Sequence, residues 1–342
     1  MLKNEITVGA VNWDCSLPKE TFFGFHSAKS LSSEKFRSST PYYATVENSN
    51  KISYRYRSLE EYEREMQYAV DAGIDYFAYC WYGENPGKRE NEWQNHLHDL
   101  TYARKLHIQS KLKKKLKLCA IIGVGAKESE LSEDDMRNLA DEMKQEYYQK
   151  IDGRPLVYVF DGYKQETSRI LRDTCKKYST PEPYFVFMCS QIDEINKNEN
   201  VSGAVSAYSF PKSAKSYDEF ISYLIEDLKG RMELGVRVIP QFSVGWNPSP
   251  RIENPVPWVN YENTSYLQQI TKDEMLNGAK KFTEFLSSNK KYNTTNQILV
   301  FAWNEFEEGA YICPTYDQSG KNINTDRVAA MGEIIKDWKK KL

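Results

Sequence analysis

Eight short apolar runs recur along the chain, each too apolar for a strand with one face in water. They are 6–13 (ITVGAVNW), 75–82 (DYFAYCWY), 116–123 (LKLCAIIG), 155–161 (PLVYVFD), 184–190 (YFVFMCS), 203–210 (GAVSAYSF), 236–246 (VRVIPQFSVGW) and 297–304 (QILVFAWN). Short continuous runs rich in Val, Ile, Tyr and Phe read as strands buried on both faces, the condition found in parallel sheets.

Between the runs lie segments of helical period with one charged side: 58–72 (SLEEYEREMQYAVDA), 91–107, 132–150, 164–178, 217–234, 272–288 and 324–340. Ser58 with Glu61, Ser132 with Asp135, and Thr271 with Glu274 place a capping residue three positions before an acceptor, the signature of a helix start. The connection 190–199 is short and polar, and a turn is expected there in place of a helix. Strand and helix thus alternate around a parallel sheet with right-handed crossovers. Eight repeats without a change of composition favour closure into a (β/α)8 barrel over an open sheet. The whole chain, 1–342, reads as a single domain of the α/β class. Residues 15–57 form a long polar connection after the first strand, expected to wall or cover the barrel mouth. The lysine run at 111–117 reads as a solvated loop at the barrel bottom.

Composition removes several functions. The chain has 46 basic and 48 acidic residues, a net charge of −2, which is not the footprint of a protein that neutralises many phosphates. Nucleic acid is therefore not an expected partner. No stretch approaches the 18 apolar residues of a membrane span. As given, the sequence suits the cytoplasm, and a trimmed signal would place it in the periplasm or outside the cell. The six cysteines, Cys15, Cys80, Cys119, Cys175, Cys189 and Cys313, include no CxxC pair and sit mostly in apolar runs, which predicts buried thiols. His26, His96, His98 and His107 lack metal-like spacing, so neither a metal nor a cofactor is expected; of the four, His26 alone is a candidate to line the site, against a weight of about three to one.

Barrel chemistry sits where strands end and the following loops begin. The polar and aromatic residues at those positions are Trp13 and Asp14, Trp81 and Tyr82, Asp161, Tyr208, Trp246 and Asn247, and the run Trp303, Asn304, Glu305, Phe306, Glu307 and Glu308, with Tyr311 beyond it. The last group carries the chemistry. A strand ending in Asn-Glu, followed by a second glutamate three residues on, sets Glu305 and Glu308 on one side of a tight turn. Two carboxyl groups close together in a partly apolar pocket repel, so one keeps its proton while the other ionises, as acid/base cleavage of an acetal requires. Glu307, between them, is expected to point away.

At these residues the sequence resembles the glycoside hydrolase family 99-like, or WbsX-like, proteins. FAWNEFEEGAYICPT (301–315) is similar to their pattern AWNEWxEGxxxEP, IDGRPLVYVFDG (151–162) to NGKPLxxxY, GIDYFAYCWYG (73–83) to GIDGFxFYxYW, and GWNPSPR (245–251) to SWDNTPR. The likeness runs from residue 58 to 315. It implies a (β/α)8 barrel acting on α-mannosides with retention. By position, Glu305 would take the proton of the sugar 2-hydroxyl, whose oxygen attacks the anomeric carbon, and Glu308 would protonate the leaving oxygen and then activate water. It also implies that Trp81, Tyr82 and Trp246 serve as sugar platforms. Asn247 stands where the pattern has Asp, Cys313 where it has Glu and Phe306 where it has Trp, departures that bear on the substrate.

The sequence therefore reads as a glycoside hydrolase whose partner is an oligosaccharide or polysaccharide. Two other classes follow from the same features: a glycosyltransferase of surface-polysaccharide synthesis, against which the absence of a Gly-rich dinucleotide fingerprint and of an Asp-x-Asp site speaks, and a barrel that binds glycan without cleaving it.

Overall fold

The computed structural model describes residues 5–84, 91–123, 131–160, 165–189, 203–261 and 266–342. Eight parallel strands, numbered here β1 to β8 in chain order, form the centre: β1 Thr7–Asn12, β2 Tyr76–Cys80, β3 Lys117–Ile122, β4 Arg154–Phe160, β5 Tyr184–Met188, β6 Ala204–Ser206, β7 Gln241–Ser243 and β8 Gln297–Phe301. Hydrogen-bonded neighbours run β7, β8, β1, β2, β3, β4, β5, β6. The ring closes between β6 and β7 through the parallel bridge Val205 to Val238, where Val205 N–H donates to Arg237 O at 2.9 Å and Ile239 N–H to Val205 O at 2.9 Å. The molecule is a (β/α)8 barrel.

The strand sequences explain the closure. β2, β5 and β8 are buried at every residue, as strands must be when side chains fill the barrel inside and helices cover it outside. Inside, Tyr76 on β2 and Tyr158 on β4 bond through their hydroxyls at 2.8 Å across β3. Gly9 on β1, in register with Tyr76, permits that ring: a Cβ at position 9 would overlap it.

Helices cover the outside: α2 Leu59–Asp71, α3 Tyr102–Gln109, α4 Glu133–Met143, α5 Gln165–Lys177, α6 Tyr217–Glu233, α8 Lys272–Ser288 and α9 Asp326–Lys341, with α1 Phe22–Ser30 and α7 Ser249–Glu253 lying within loops. The predicted capping boxes are present at Ser58 and Glu61, Ser132 and Asp135, and Thr271 and Glu274. The segment 91–107 divides into a 3-10 stretch, Glu92–Thr101, followed by α3. The expected turn at 190–199 lies outside the described residues. The lysine run precedes β3 as a turn; its Leu112 and Leu116 are buried, while Lys111 and Lys114 project outward to pair with Glu63 and Glu146.

The connection after β1 is built, not plain loop. It holds α1, a 3-10 turn at Glu34–Ser39 and an antiparallel hairpin pairing Thr45–Asn48 with Lys51–Ser53. Pro41 bridges to Thr315, and Tyr42 N–H donates to Pro314 O at 3.2 Å, so this wall is laced to the loop that follows β8. None of the six cysteines forms a disulfide, and all six are buried. No helix among the described residues is long and apolar enough to cross a membrane.

Candidate active site

The last strand delivers the carboxyl groups through a compact turn. After β8 the chain continues as Asn304–Glu305, makes one 3-10 turn at Phe306–Glu308, and returns as Ala310–Tyr311 antiparallel to Asn304–Glu305. Gly309 closes the turn at φ 67°, in the left-handed region open to glycine, and a Cβ there would come within 2.6 Å of the Asn247 Cβ. Asn247 N–H in turn donates to Glu308 O at 2.6 Å, which ties the loop after β7 to the turn.

Three glutamates from this turn converge on one arginine. Arg251, on α7, donates from Nε to Glu307 at 3.0 Å and from Nη1 to Glu308, and its Nη2 stands 3.6 Å from Glu305. All four side chains are almost wholly withdrawn from solvent, Glu305 at 3% and Glu308 at 6% exposure. Each outer glutamate has its own tyrosine. The Tyr208 hydroxyl donates to Glu305 at 3.0 Å, and the Tyr261 hydroxyl donates to Glu308 at 2.7 Å. Glu307 does not point away as its position in the run suggested: a carboxyl group buried at this depth requires a partner, and Arg251 supplies it.

Burial shifts both outer acids upward. Glu305 lies well above the usual carboxylate range, first because it is buried and next because Glu308 is close; Arg251 and the Tyr208 hydroxyl pull the other way. Glu308 is also raised by burial, and is opposed first by Arg251 and then by the Tyr261 hydroxyl. The two environments differ by the distance to the guanidinium, the feature that separates an acid from a base at one pH.

Of the other strand-end residues, some gather here and some do not. Trp13 is half-buried beside the site, its ring 5.3 Å from the Arg251 guanidinium and its indole N–H bonded to the Tyr82 hydroxyl at 2.7 Å. Asn304 accepts from Trp13 N–H at 2.9 Å and reaches Asn12 at 3.2 Å, so it fixes β1 against the turn. Trp246 is buried and meets Tyr261 edge-on at 5.5 Å. Trp81 and Tyr82 are also buried. Asn247 spends its side-chain oxygen on Ser249 N–H at 3.1 Å. Tyr311 donates to Ser38 O at 2.7 Å, bracing the β1 loop.

Asp14 and Trp303 belong to a separate buried network. Arg57 pairs with Asp14 and Glu65, and the Trp303 indole donates to Glu65 at 2.8 Å. Asp161 lies outside the described residues. His26 packs against Phe22 at 4.8 Å and Trp258 at 5.9 Å, in an aromatic wall that continues to Trp13.

Sequence reasoning passed over Arg251, Tyr261 and Trp258. Arg251 closes the GWNPSPR run quoted above, and a lone arginine beside a Pro-rich turn announces nothing until its three partners are brought to it. A cavity of 480 Å³ is lined by Arg251, Trp258 and Tyr261, and another of 370 Å³ by Tyr208, Phe160 and Phe210, so open space adjoins the partners of both outer glutamates. A third cavity, 260 Å³, touches Trp246, Asn247 and Tyr311 but neither Glu305 nor Glu308.

A (β/α)8 barrel with a buried, mutually paired carboxyl cluster at the end of its eighth strand defines the class. A sequence model of the family described as "Glycosyltransferase WbsX" matches residues 121–325, more than half of the chain, and the chain belongs to that family. Among curated proteins none matches. Among solved structures the chain is similar to the GH99 endo-alpha-mannosidase from Bacteroides thetaiotaomicron in complex with bis-tris-propane, with a TM-score of 0.62 at 12% identity over 97% of both chains. A second structure of a GH99 endo-alpha-mannosidase from that organism aligns with a TM-score of 0.56 at 12% identity, covering 86% of each chain. These likenesses show the (β/α)8 fold.

Proposed function

We propose that this protein is a retaining glycoside hydrolase that cleaves a glycosidic bond of an oligosaccharide or polysaccharide through Glu305 and Glu308, with an α-mannoside as the first substrate to try. One observation carries the reading: two buried carboxyl groups, three residues apart at the C-terminal end of β8, share Arg251 and are each held by a tyrosine hydroxyl. Such a pair can give a proton to the leaving oxygen from one member while the other withdraws one from the sugar 2-hydroxyl or from water. The family resemblance assigns the 2-hydroxyl to Glu305 and the leaving oxygen to Glu308. Trp13, half-buried beside Arg251, and the aromatic wall of Phe22, His26 and Trp258 are suited to sugar rings, whose C–H faces pack on flat apolar surfaces.

The test is hydrolysis of a panel of α- and β-linked oligosaccharides, mannosides foremost, by the wild type, Glu305→Gln and Glu308→Gln. Both variants should lose about two to four decades of rate with folding intact, the contribution of a positioned acid or base. Activity retained in both would remove the pair from the mechanism.

The description of the matched family favours a second reading, transfer of a sugar to a glycan acceptor. It predicts products longer than the substrate when an acceptor sugar is added, and no release of the shorter fragment in water alone.

A further inference from the structure

The turn that carries Glu305 and Glu308 is held on its return side by a residue from the last helix. Arg327, the second residue of α9, donates from Nη1 to three backbone carbonyl oxygens: Tyr311 O at 3.0 Å, Gly309 O at 3.1 Å and Val244 O at 3.4 Å. Gly309 and Tyr311 belong to the turn and its return strand, whereas Val244 follows β7. One guanidinium group therefore spans the seam between the loop after β7 and the loop after β8. Its central carbon lies 4.0 Å from the centre of the Tyr311 ring, a cation–π contact that fixes it from a second direction.

The seam needs such a clasp. The ladder inside the turn is two residues long on each side, Asn304–Glu305 against Ala310–Tyr311, and even a full hairpin is marginal when it stands alone. The two backbones also run unusually close: a Cβ on Gly245 would stand 3.2 Å from Gly309 O, and Asn247 N–H meets Glu308 O at 2.6 Å. A charged donor shared among convergent carbonyl dipoles is stronger than a neutral one. β7 has a further anchor that bonds to it and not to the turn, the Tyr217 hydroxyl of α6, which donates to Ser243 O at 2.9 Å.

We infer that Arg327 is a positioning residue for the proposed reaction: by tying the carbonyls of the turn to the end of β7, it sets where Glu305 and Glu308 are presented. All three of its bonds go to backbone oxygens, so its contribution is to geometry and not to proton transfer.

The inference rests on reading Glu305 and Glu308 as the reacting pair, and its test keeps the two apart. Arg327→Met keeps the length of the side chain and loses the donors; Arg327→Lys keeps the charge and loses the fork. On whichever mannoside of the panel the wild type hydrolyses, Arg327→Met should lower kcat about 10²-fold, the cost of an ångström-scale misplacement, with KM changed much less. Arg327→Lys should lose less, and it carries the test if the methionine variant fails to fold. Tyr217→Phe should lower the melting temperature and leave kcat near that of the wild type. Wild-type kcat in Arg327→Met, or in Arg327→Lys where only that variant folds, would overturn the inference, as would an equal loss of kcat in Tyr217→Phe. If the wild type hydrolyses nothing, the function proposed above fails, and whether Arg327 sets the carboxyl groups is decided by NMR of protein carrying 13C at the glutamate side-chain carboxyl carbon. The signals of Glu305 and Glu308, identified by their loss in Glu305→Gln and Glu308→Gln, should move in the Arg327 variant and stay in Tyr217→Phe; signals unmoved in the Arg327 variant would overturn the inference.

Discussion

Glu305 is the residue at which chemistry and folding pull against each other. Its carboxyl group is raised well above its ordinary range by burial, so the fold favours the protonated form. A group raised in this way contributes stability that is fully present below its unfolded pKa, near 4.3, and is lost as pH rises through the folded value. Glu305→Gln removes that liability. It should therefore melt higher than the wild type, with a gain at pH 8 that exceeds the gain at pH 5. Thermal melts at the two values measure it, and an equal shift at both would contradict the cause given. Gly309 tests the turn itself. Gly309→Ala forces a Cβ against Asn247 and a side chain into φ 67°, so stability should fall by about 1–3 kcal/mol and activity should fall with it as Glu308 moves. An alanine variant with wild-type activity would show that the turn is not what sets the carboxyl groups.

Individual elements were legible to different depths. The helix starts were plain because a capping box is a local device: Thr271 and Glu274 satisfy each other's backbone across three residues, with no help from the rest of the chain. Thr271→Ala should cost about 1 kcal/mol in a denaturation experiment and leave activity alone. Asp135 is the counterpart in α4 of Glu274, with Ser132 as the cap, but also accepts Glu84 N–H at 2.7 Å, from the loop after β2. Asp135→Ala should therefore cost about twice as much as Glu274→Ala, because it also removes a bond to a second element. Equal costs would mean that the bond to Glu84 adds nothing. That second bond could not be read from the capping pattern, since residues 84 and 135 meet only once β2 and β3 lie side by side.

At the scale of the whole molecule, the seam between β6 and β7 is, among the described residues, the thinnest part of the barrel. β4 and β5 share five register pairs, from Leu156 with Tyr184 to Phe160 with Met188, whereas β6 and β7 meet through one bridge and the bonds flanking it. Amide exchange should accordingly be faster at Val205 and Ile239 than at the central amides of β4 and β5, because local opening needs fewer bonds broken. Equal protection at both places would mean that the barrel opens only as a unit. Tyr208 follows β6 directly, so the contact that holds Glu305 is carried by this same seam.

What the sequence determined by itself was the repeating unit and the position of its chemistry. Eight runs too apolar for one wet face, separated by capped amphipathic segments, can bury their surfaces only as a parallel sheet under helices, and a glutamate pair at the end of the last run must then lie at the mouth. What the tertiary structure alone decided was which polar groups meet. Asp14 looked like a residue of the mouth, yet Arg57 draws it into a buried ion pair. Glu307 was expected to point away from the site, yet it shares Arg251 with the two acids around it. The physical reason is that burial patterns are written locally, in periods of two and 3.6 residues, whereas a buried charge finds its partner through space. Arg251 and Glu308 stand 57 positions apart in sequence, and only the closed barrel brings them together.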